Sequence, residues 1–439
     1  MFRRNAYEIF TAGVNSVLPE VLLPKNMYYK DGYLFLADWK YRVNEISNLI
    51  VIAAGKAASD MSKITEERIG NFISKGLCIT KYNHAVTLKN FKTIEAGHPL
   101  PDNNSILAGK KVLDALQNLT PGDIVLLLLS GGASSLLADT PPGITLENLY
   151  HLSGLLINSG ADIYEVNTVR KHLSQIKGGN FIKAAYPASV VTMIISDVVG
   201  DDPATIASGP TSPDSTTFED AKNVLLKYGI WNLIHESIRE HIHKGVCKEI
   251  EETPKAGSFL FEKNHNKIIG SNKICLEAAK LKAEQLGFHT IILTDKMTGD
   301  CDTLSRKFIL NLIEYEGIKP ACILLGGETS LQVSGNGKGG RNQHFVLCAM
   351  NELLKMKKNK IRNHITILSA GTDGTDGPTD AAGAMFSSLE LYSGPVDFEI
   401  TNTFLASFDS YNFFLQQGGL IKTGPTQTNV MDIVIGIIH

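Results

Sequence analysis

Residues 124–135 read Ile-Val-Leu-Leu-Leu-Leu-Ser-Gly-Gly-Ala-Ser-Ser, an unbroken apolar run that stops at a serine, two adjacent glycines and two more hydroxyls. A strand with one wet face alternates apolar and polar side chains. A continuous run marks a strand buried on both faces, as in parallel α/β sheets. The pattern recurs at Leu49–Ala54, Val190–Ile195, Thr290–Leu293, Ala321–Leu325 and Ile365–Leu368, with helical stretches between. Nearly every run ends in a small or polar cluster: Gly55-Lys56, Ser196-Asp197, Thr294-Asp295, Gly326-Gly327-Glu328 and Ala370-Gly371-Thr372-Asp373. In open α/β sheets ligands bind outside the carboxyl ends of the strands, so chemistry is expected at these clusters.

The rest of the composition agrees with a folded enzyme and excludes several classes. Across 439 residues, 42 Lys+Arg against 45 Asp+Glu leave a net charge of −3, with 43% hydrophobic and 20% charged residues. No basic surplus exists for nucleic acid or an anionic membrane. The six cysteines form no CxxC pair, and Cys275, Cys322 and Cys348 sit in apolar stretches, which points to a reducing cytoplasm. The first ten residues read as an amphipathic helix without the apolar core of a signal peptide, and Ile124–Leu129 is far short of the ~20 residues of a membrane span. The length predicts two α/β domains, divided at residues 1–240 and 241–439, because residues 240–263 are charged and lack a long apolar run. A strand into Lys267–Asn272 then leads to a helix from Lys273 to Gln285, with Ser271 or Asn272 as its N-cap. The charge run Lys355–Arg362 reads as a solvated helix end.

Five motifs could carry chemistry. Ile52–Ser59 is a strand, a glycine turn and a helix with Lys56 in its first turn, an anion site or simply a βα turn. In Leu129–Ser135 the Ser130-Gly131-Gly132 backbone and the Ser134 hydroxyl suit a phosphate or carboxylate, whereas a GxSxG nucleophile elbow is absent. Ile194–Pro203 places Asp197 at a strand end, suited to Mg²⁺ or to general-base work on a hydroxyl, with Asp201 and Asp202 as turn residues. Leu324–His344 holds Glu328, the glycines 335, 337, 339 and 340, Arg341 and Asn342. Gly335, Gly337 and Gly340 satisfy GxGxxG formally, but the next strand-end acid, Asp373, is more than thirty residues beyond Gly340, too far for a ribose-binding acid. An Arg at the mouth of a helix suits phosphate clamping better. Ala370–Gly383 brings three aspartates to a strand-end loop for metal or substrate hydroxyls, without the order of a calcium loop. The histidines show no zinc-binding spacing, and His98 lies in a Pro-rich turn.

Taken together, the segments AAGKAA (53–58), GHPLPD (97–102), LSGGASS (129–135), VRKHLSQIKGGN (169–180), ISDVVGDDPATIASGPT (195–211), GGETS (326–330), GKGGRNQ (337–343), SAGTDGTDGPTDAAGA (369–384) and GPTQTNVMD (424–432) resemble the glycerate 2-kinase family, glycerate kinases with a C-terminal MOFRL domain. The resemblance implies two α/β/α three-layer domains, one Rossmann-like with a parallel sheet and one with a mixed sheet, enclosing a cleft. It implies ATP- and Mg²⁺-dependent phosphorylation of D-glycerate, most often to 2-phosphoglycerate, by a monomer or homodimer. Lys56 and Arg341 match the family's important Lys and Arg, and Asp197 matches its strand-end aspartate. Lys56 and Arg341 would stabilise the transferring phosphoryl group and Asp197 would orient or deprotonate the C2 hydroxyl. Asp373 or Glu328 would meet Mg²⁺. Ser130, Gly131, Gly132 and Ser134, with Gly337, Gly339, Gly340 and Asn342, would hold glycerate or nucleotide. Two other enzyme readings stand beside it, an NAD(P)H-dependent hydroxypyruvate reductase and a 3-phosphoglycerate-forming kinase, and a third is a non-catalytic nucleotide- or sugar-acid-binding protein.

Overall fold

A computed structural model describes residues 2–356, 363–391 and 397–439, so the charge run expected to end a helix lies outside the described residues from 357 to 362. Three sheets organise the described chain. A small antiparallel one joins β1 (Met27–Lys30), β2 (Tyr33–Leu36) and β3 (Trp39–Arg42). Its first turn, Asp31-Gly32, has φ of 51° and 82°, the doubly left-handed backbone that an Asp-Gly hairpin favours.

The second sheet contains β4 (Leu49–Ala54), β5 (Ile73–Lys81), β6 (Phe91–Ala96), β7 (Ile124–Leu129), β8 (Ser189–Ile195) and β9 (Asn264–Gly270) in the order β6-β5-β4-β7-β8-β9. Pairings across β6-β5-β4-β7-β8 are parallel. Every residue of β4 and β7 is buried, as the continuous runs require. Helices 146–158, 163–171, 218–227 and 236–246 pack a separate core around Leu152, Leu156, Val169, Leu225 and Ile238.

The third sheet contains β10 (His289–Asp300), β11 (Ala321–Ser330), β12 (Ile365–Gly371), β13 (Gly383–Ser387), β14 (Leu420–Ile421) and β15 (Asp432–Ile438) in the order β10-β11-β15-β12-β13-β14. Only β10 and β11 pair in parallel, and β15 runs antiparallel to both of its neighbours. The expectation that all the apolar runs belong to parallel sheets fails here, because a run buried on both faces looks the same in either direction. Phe308, Leu312, Phe345, Ile367 and Val434 form part of the core on one side.

The chain divides into two compact units that are discontinuous in sequence: Leu22–Ile195 with Asp201–Ile269, and Met1–Val21 with Ser196–Gly200 and Gly270–His439. The boundary expected after residue 240 lands inside the helix Glu236–Val246. Two facts move it. β9 continues the parallel sheet beyond the charged crossing, and the helix Phe2–Ser16 buries Ala6, Ile9, Phe10 and Val14 in the other unit. There Gly13 lets it cross the helix Asn272–Gln285 closely, since a Cβ would lie 3.0 Å from the Cys275 carbonyl oxygen. That second helix is capped by Ser271, as expected, whose hydroxyl accepts from the Ile274 amide. All six cysteines are free, and all but Cys247 are buried.

Candidate active site

In the parallel sheet the chain leaves β4 outward through β5 to β6, then returns to β7 on the other side of β4 and continues to β8. The neighbours β4 and β7 are therefore the topological switch point, where diverging loops leave a crevice outside the strand ends. Those loops carry Gly55-Lys56 and Ser130-Gly131-Gly132. They touch: Gly55 has φ of 132°, and a Cβ there would fall 2.1 Å from Ser130 Oγ. The Ser130 hydroxyl accepts from the Ala57 amide at 3.0 Å, and the Lys56 amide donates to the Gly131 carbonyl at 2.9 Å. Ser130 and Gly131 thus hold the Lys56 turn in place. The helix starts at Ala58, so Lys56 stands in the turn before it rather than in its first turn.

Gly132 has φ of 84°, and a Cβ there would be 2.7 Å from His98 Cδ2 and 3.4 Å from Lys56 Cγ. His98, given no role by its spacing, is thereby packed against the loop and beside Lys56. Burial, and then the charges of Lys56 and Lys81, push its pKa down to about 4, so a neutral imidazole adjoins the ammonium. Ser134 Oγ lies 3.0 Å from Ser208 Oγ, which donates to Asn167 Oδ1 at 3.0 Å. A cavity of about 790 Å³ opens elsewhere in this unit, lined by Leu113, His172, Phe218 and His241 among others, and none of Lys56, Gly132 or Ser134 lines it. Charge and strand topology, not volume, locate the candidate site.

In the mixed sheet, β15 inserted antiparallel brings its first residue to the edge where β11 and β12 finish. Asp432 is opposite Gly327 on one side and Gly371 on the other. Gly326 to Ser330 and Gly371 therefore lie within strands, not in loops beyond them. Arg341 opens the helix Arg341–Lys355, at whose mouth it was expected. Its Nε and Nη2 donate to Asp432 at 2.5 and 3.0 Å, and its Nη1 donates to Glu328 at 2.6 Å. Burial alone would lower the pKa of Arg341, but the bonds to Asp432 and the negative charges around it prevail and raise it. The guanidinium is fixed in a bidentate fork by a buried carboxylate and meets a more exposed one at its outer nitrogen.

The other predicted residues of this edge divide into two groups. Asp197 stays near the strand ends, where its Oδ2 accepts from Asn429 Nδ2 at 3.5 Å. Asp373 sits beside Asp432: a Cβ on Gly371 would be 3.3 Å from Asp373 Oδ1 and 3.4 Å from Asp432 Oδ1. By contrast, the glycines expected to cradle a ligand press on their own unit. A Cβ would meet Asp409 or Ser407 from Gly337, Ser410 Oγ at 2.2 Å from Gly339 and the Asp376 carboxyl at 2.3 Å from Gly340. Asn342 is buried, its amide side chain donating to Asp376 and accepting from Ser369. Asp376 also accepts from the amides of Asn342 and Gln343 at 3.0 and 2.8 Å, capping the helix that carries Arg341, while burial pushes its carboxyl up to about 7.

Spacing missed Asp432 and Asn429, gave His98 no role, and read Asp376 only as one of three loop aspartates for metal or substrate hydroxyls, whereas it caps the helix that carries Arg341. Asp432 had a signal, an acid at the head of a strand buried on both faces, where a charge needs a partner. Among the described residues no group of three or more His, Cys, Asp or Glu side chains is arranged to hold a metal ion. The donors present, Asp373 beside Asp432 with Glu328 on the same strand edge, are carboxylate oxygens. They fit an ion such as Mg²⁺ that is met by one or two carboxylates and otherwise by waters and substrate phosphates.

Comparison with known proteins bears on both units. A family model described as a domain of unknown function, DUF4147, matches residues 5–243, and the MOFRL family model matches residues 321–432. A D-glycerate 2-kinase of Thermotoga maritima is 42% identical over 402 residues, spanning 90% of this chain and 91% of that protein. The chain belongs to the glycerate 2-kinase family. A crystal structure of a glycerate kinase from Thermotoga maritima, 38% identical, matches it with a TM-score of 0.85 over 100% of this chain and 99% of that one. Another relative of this glycerate 2-kinase family chain, named a putative hydroxypyruvate reductase in Agrobacterium vitis, is 40% identical over 97% of this chain and 92% of that protein.

Proposed function

We propose that this member of the family is an ATP-dependent D-glycerate 2-kinase, transferring the γ-phosphoryl group to the C2 hydroxyl. The observation that carries the geometry is Lys56 at the switch point, locked by Ser130 and Gly131 and facing the glycine turn at Gly132. Phosphoryl transfer asks little covalent chemistry of a protein and much fixed charge, which a pre-positioned ammonium supplies. Arg341 offers the second fixed charge: Asp432 keeps its plane, and an incoming oxyanion would take the place of Glu328 at Nη1. Asp197 orients the acceptor hydroxyl or takes its proton. Asp373 and Glu328 are the side chains that would meet Mg²⁺, which supplies charge neutralisation on the nucleotide phosphates. The free cysteines suit a cytoplasmic protein. No helix among the described residues is long and apolar enough to cross a membrane.

The reductase name borne by one relative makes the nicotinamide reading worth excluding directly. Its motif does not form the dinucleotide turn, because the stretch after β11 packs onto Ser407 and Asp376 and the strand that follows its helix, β12, is separated from β11 by β15. The test couples D-glycerate, ATP and Mg²⁺ through enolase, with and without phosphoglycerate mutase. Signal without mutase establishes 2-phosphoglycerate. Signal only with mutase means 3-phosphorylation, and silence in both with NADH oxidation on hydroxypyruvate means a reductase.

A further inference from the structure

Two of the recognised stretches, 169–180 and 195–211, still lack a task for most of their residues. They meet at the turn Ile206–Gly209, where Ala207 and Ser208 have φ of 52° and 60°, left-handed backbone that residues with a Cβ adopt at a cost. The amides of Gly178 and Gly179 hold the turn there, donating to the carbonyls of Ser208 at 3.0 Å and Gly209 at 2.8 Å. The result is a fixed position for the Ser208 hydroxyl, between Ser134 Oγ and Asn167 Oδ1. Asn167 lies on the helix Ile163–Lys171, three residues before Arg170, so the two share a helix face. Arg170 is partly buried, and among the described residues its guanidinium makes no hydrogen bond or ion pair. Burial lowers its pKa without any acid to oppose the shift, and its charge also reaches the buried Lys177. A cation withdrawn from water with no carboxylate beside it is unfavourable until an anion arrives.

We propose that Arg170, with the hydroxyls of Ser134 and Ser208, forms an oxyanion-binding subsite on the parallel-sheet unit. The planar guanidinium matches a carboxylate or a phosphate in two parallel hydrogen bonds, and the serines add donors at its side. Ser134 belongs to the same strand-end loop as Gly132, which packs beside Lys56, so the bound anion lies on the edge that carries the chemistry. Resting on the kinase reading, the anion is either the carboxylate of the hydroxy acid or a phosphate group of the nucleotide. Arg170 acts as a binding group and moves no proton.

The experiment uses Arg170→Met and Arg170→Lys in the full-length protein, with separate Michaelis constants for D-glycerate and ATP and thermal melts with and without inorganic phosphate. The expected result is a KM raised roughly 10- to 100-fold for one of the two substrates in Arg170→Met, partly restored in Arg170→Lys, with the other KM near wild type. A rise for D-glycerate assigns the carboxylate, and a rise for ATP assigns a phosphate. The melting temperature without ligand should hold or rise, because no protein partner is lost. Unchanged Michaelis constants in both variants, or a lowered melting temperature without ligand, overturn the subsite. If the wild type does not phosphorylate D-glycerate, the kinase reading fails separately. The subsite is then decided by phosphate, which must stabilise the wild type and not Arg170→Met, equal stabilisation of both being the refuting result.

Discussion

Asp432→Asn removes one charge from the centre of the Arg341 cluster while keeping the shape of the side chain. Asp432 is 2% exposed and Arg341 33% exposed, so the pair is half in and half out of water. Removing one partner of a fully buried pair costs about 3–5 kcal/mol. Here the arginine keeps Glu328 and reaches solvent, which reduces the expected loss to about 2–3 kcal/mol. For a unit of this size each kcal/mol shifts the melting temperature by roughly 2–4 °C, so the variant should melt on the order of 5–10 °C lower. Calorimetry measures this, and the coupled kinase assay should show reduced kcat because the guanidinium loses its fixed plane. Glu328→Gln is the control: its outer, exposed bond should matter little to stability. Combining Arg341→Met with Asp432→Asn should cost less than the two single changes added together, since no charge is then left unanswered. A variant melting within about 1 °C of wild type, with unchanged kcat, would refute the idea that Asp432 holds Arg341 in its working orientation.

Lys56→Ala should lower kcat by about 10²–10³-fold in the coupled assay with an unchanged far-ultraviolet spectrum, and near-normal turnover would remove Lys56 from the chemistry. Gly132→Ala, at φ of 84° and against His98, should destabilise its unit by about 1–3 kcal/mol or more in urea titrations and impair activity together. The folded pKa of His98, about 4 against an ordinary 6.5, means that the unfolded chain binds the extra proton between those values. Its contribution to stability is complete above pH 6.5 and is lost as the pH falls toward 4. Urea midpoints across that window should decline less steeply in His98→Gln, and parallel curves would falsify the assignment.

The two central strands of the parallel sheet were legible because nothing interrupts their apolar runs. β5 and β6 were not, since Ser74, Lys75 and Gly76 break the first and Lys92 and Glu95 punctuate the second, an edge strand with one neighbour. Strand direction in the mixed sheet carries no local signature, so the place of Asp432 between Gly327 and Gly371 could not be read from spacing. Lys56, Asp197 and Asp373 stood out as candidates because they follow strand ends, where charge has no packing task, and Arg341 because it opens a helix after a run of glycines. The glycines of 337–340 carry a signal that can be read in two ways. A glycine chosen so that backbone can approach a ligand and one chosen so that it can approach Asp376 or Ser410 look identical in sequence.

The antiparallel insertion of β15 also sets an order of events during translation. The parallel-sheet unit has all its strands once residue 270 has left the ribosome. The mixed sheet cannot join β11 to β12 until residue 438 emerges, roughly 10–30 s later at about 5–20 residues per second. Throughout that interval the helix Phe2–Ser16, made first, has no finished sheet to cover, and its apolar face is open to chaperones. Variants that weaken β15 should therefore show their damage in yield of folded protein from the cell before they show it in the stability of whatever is purified.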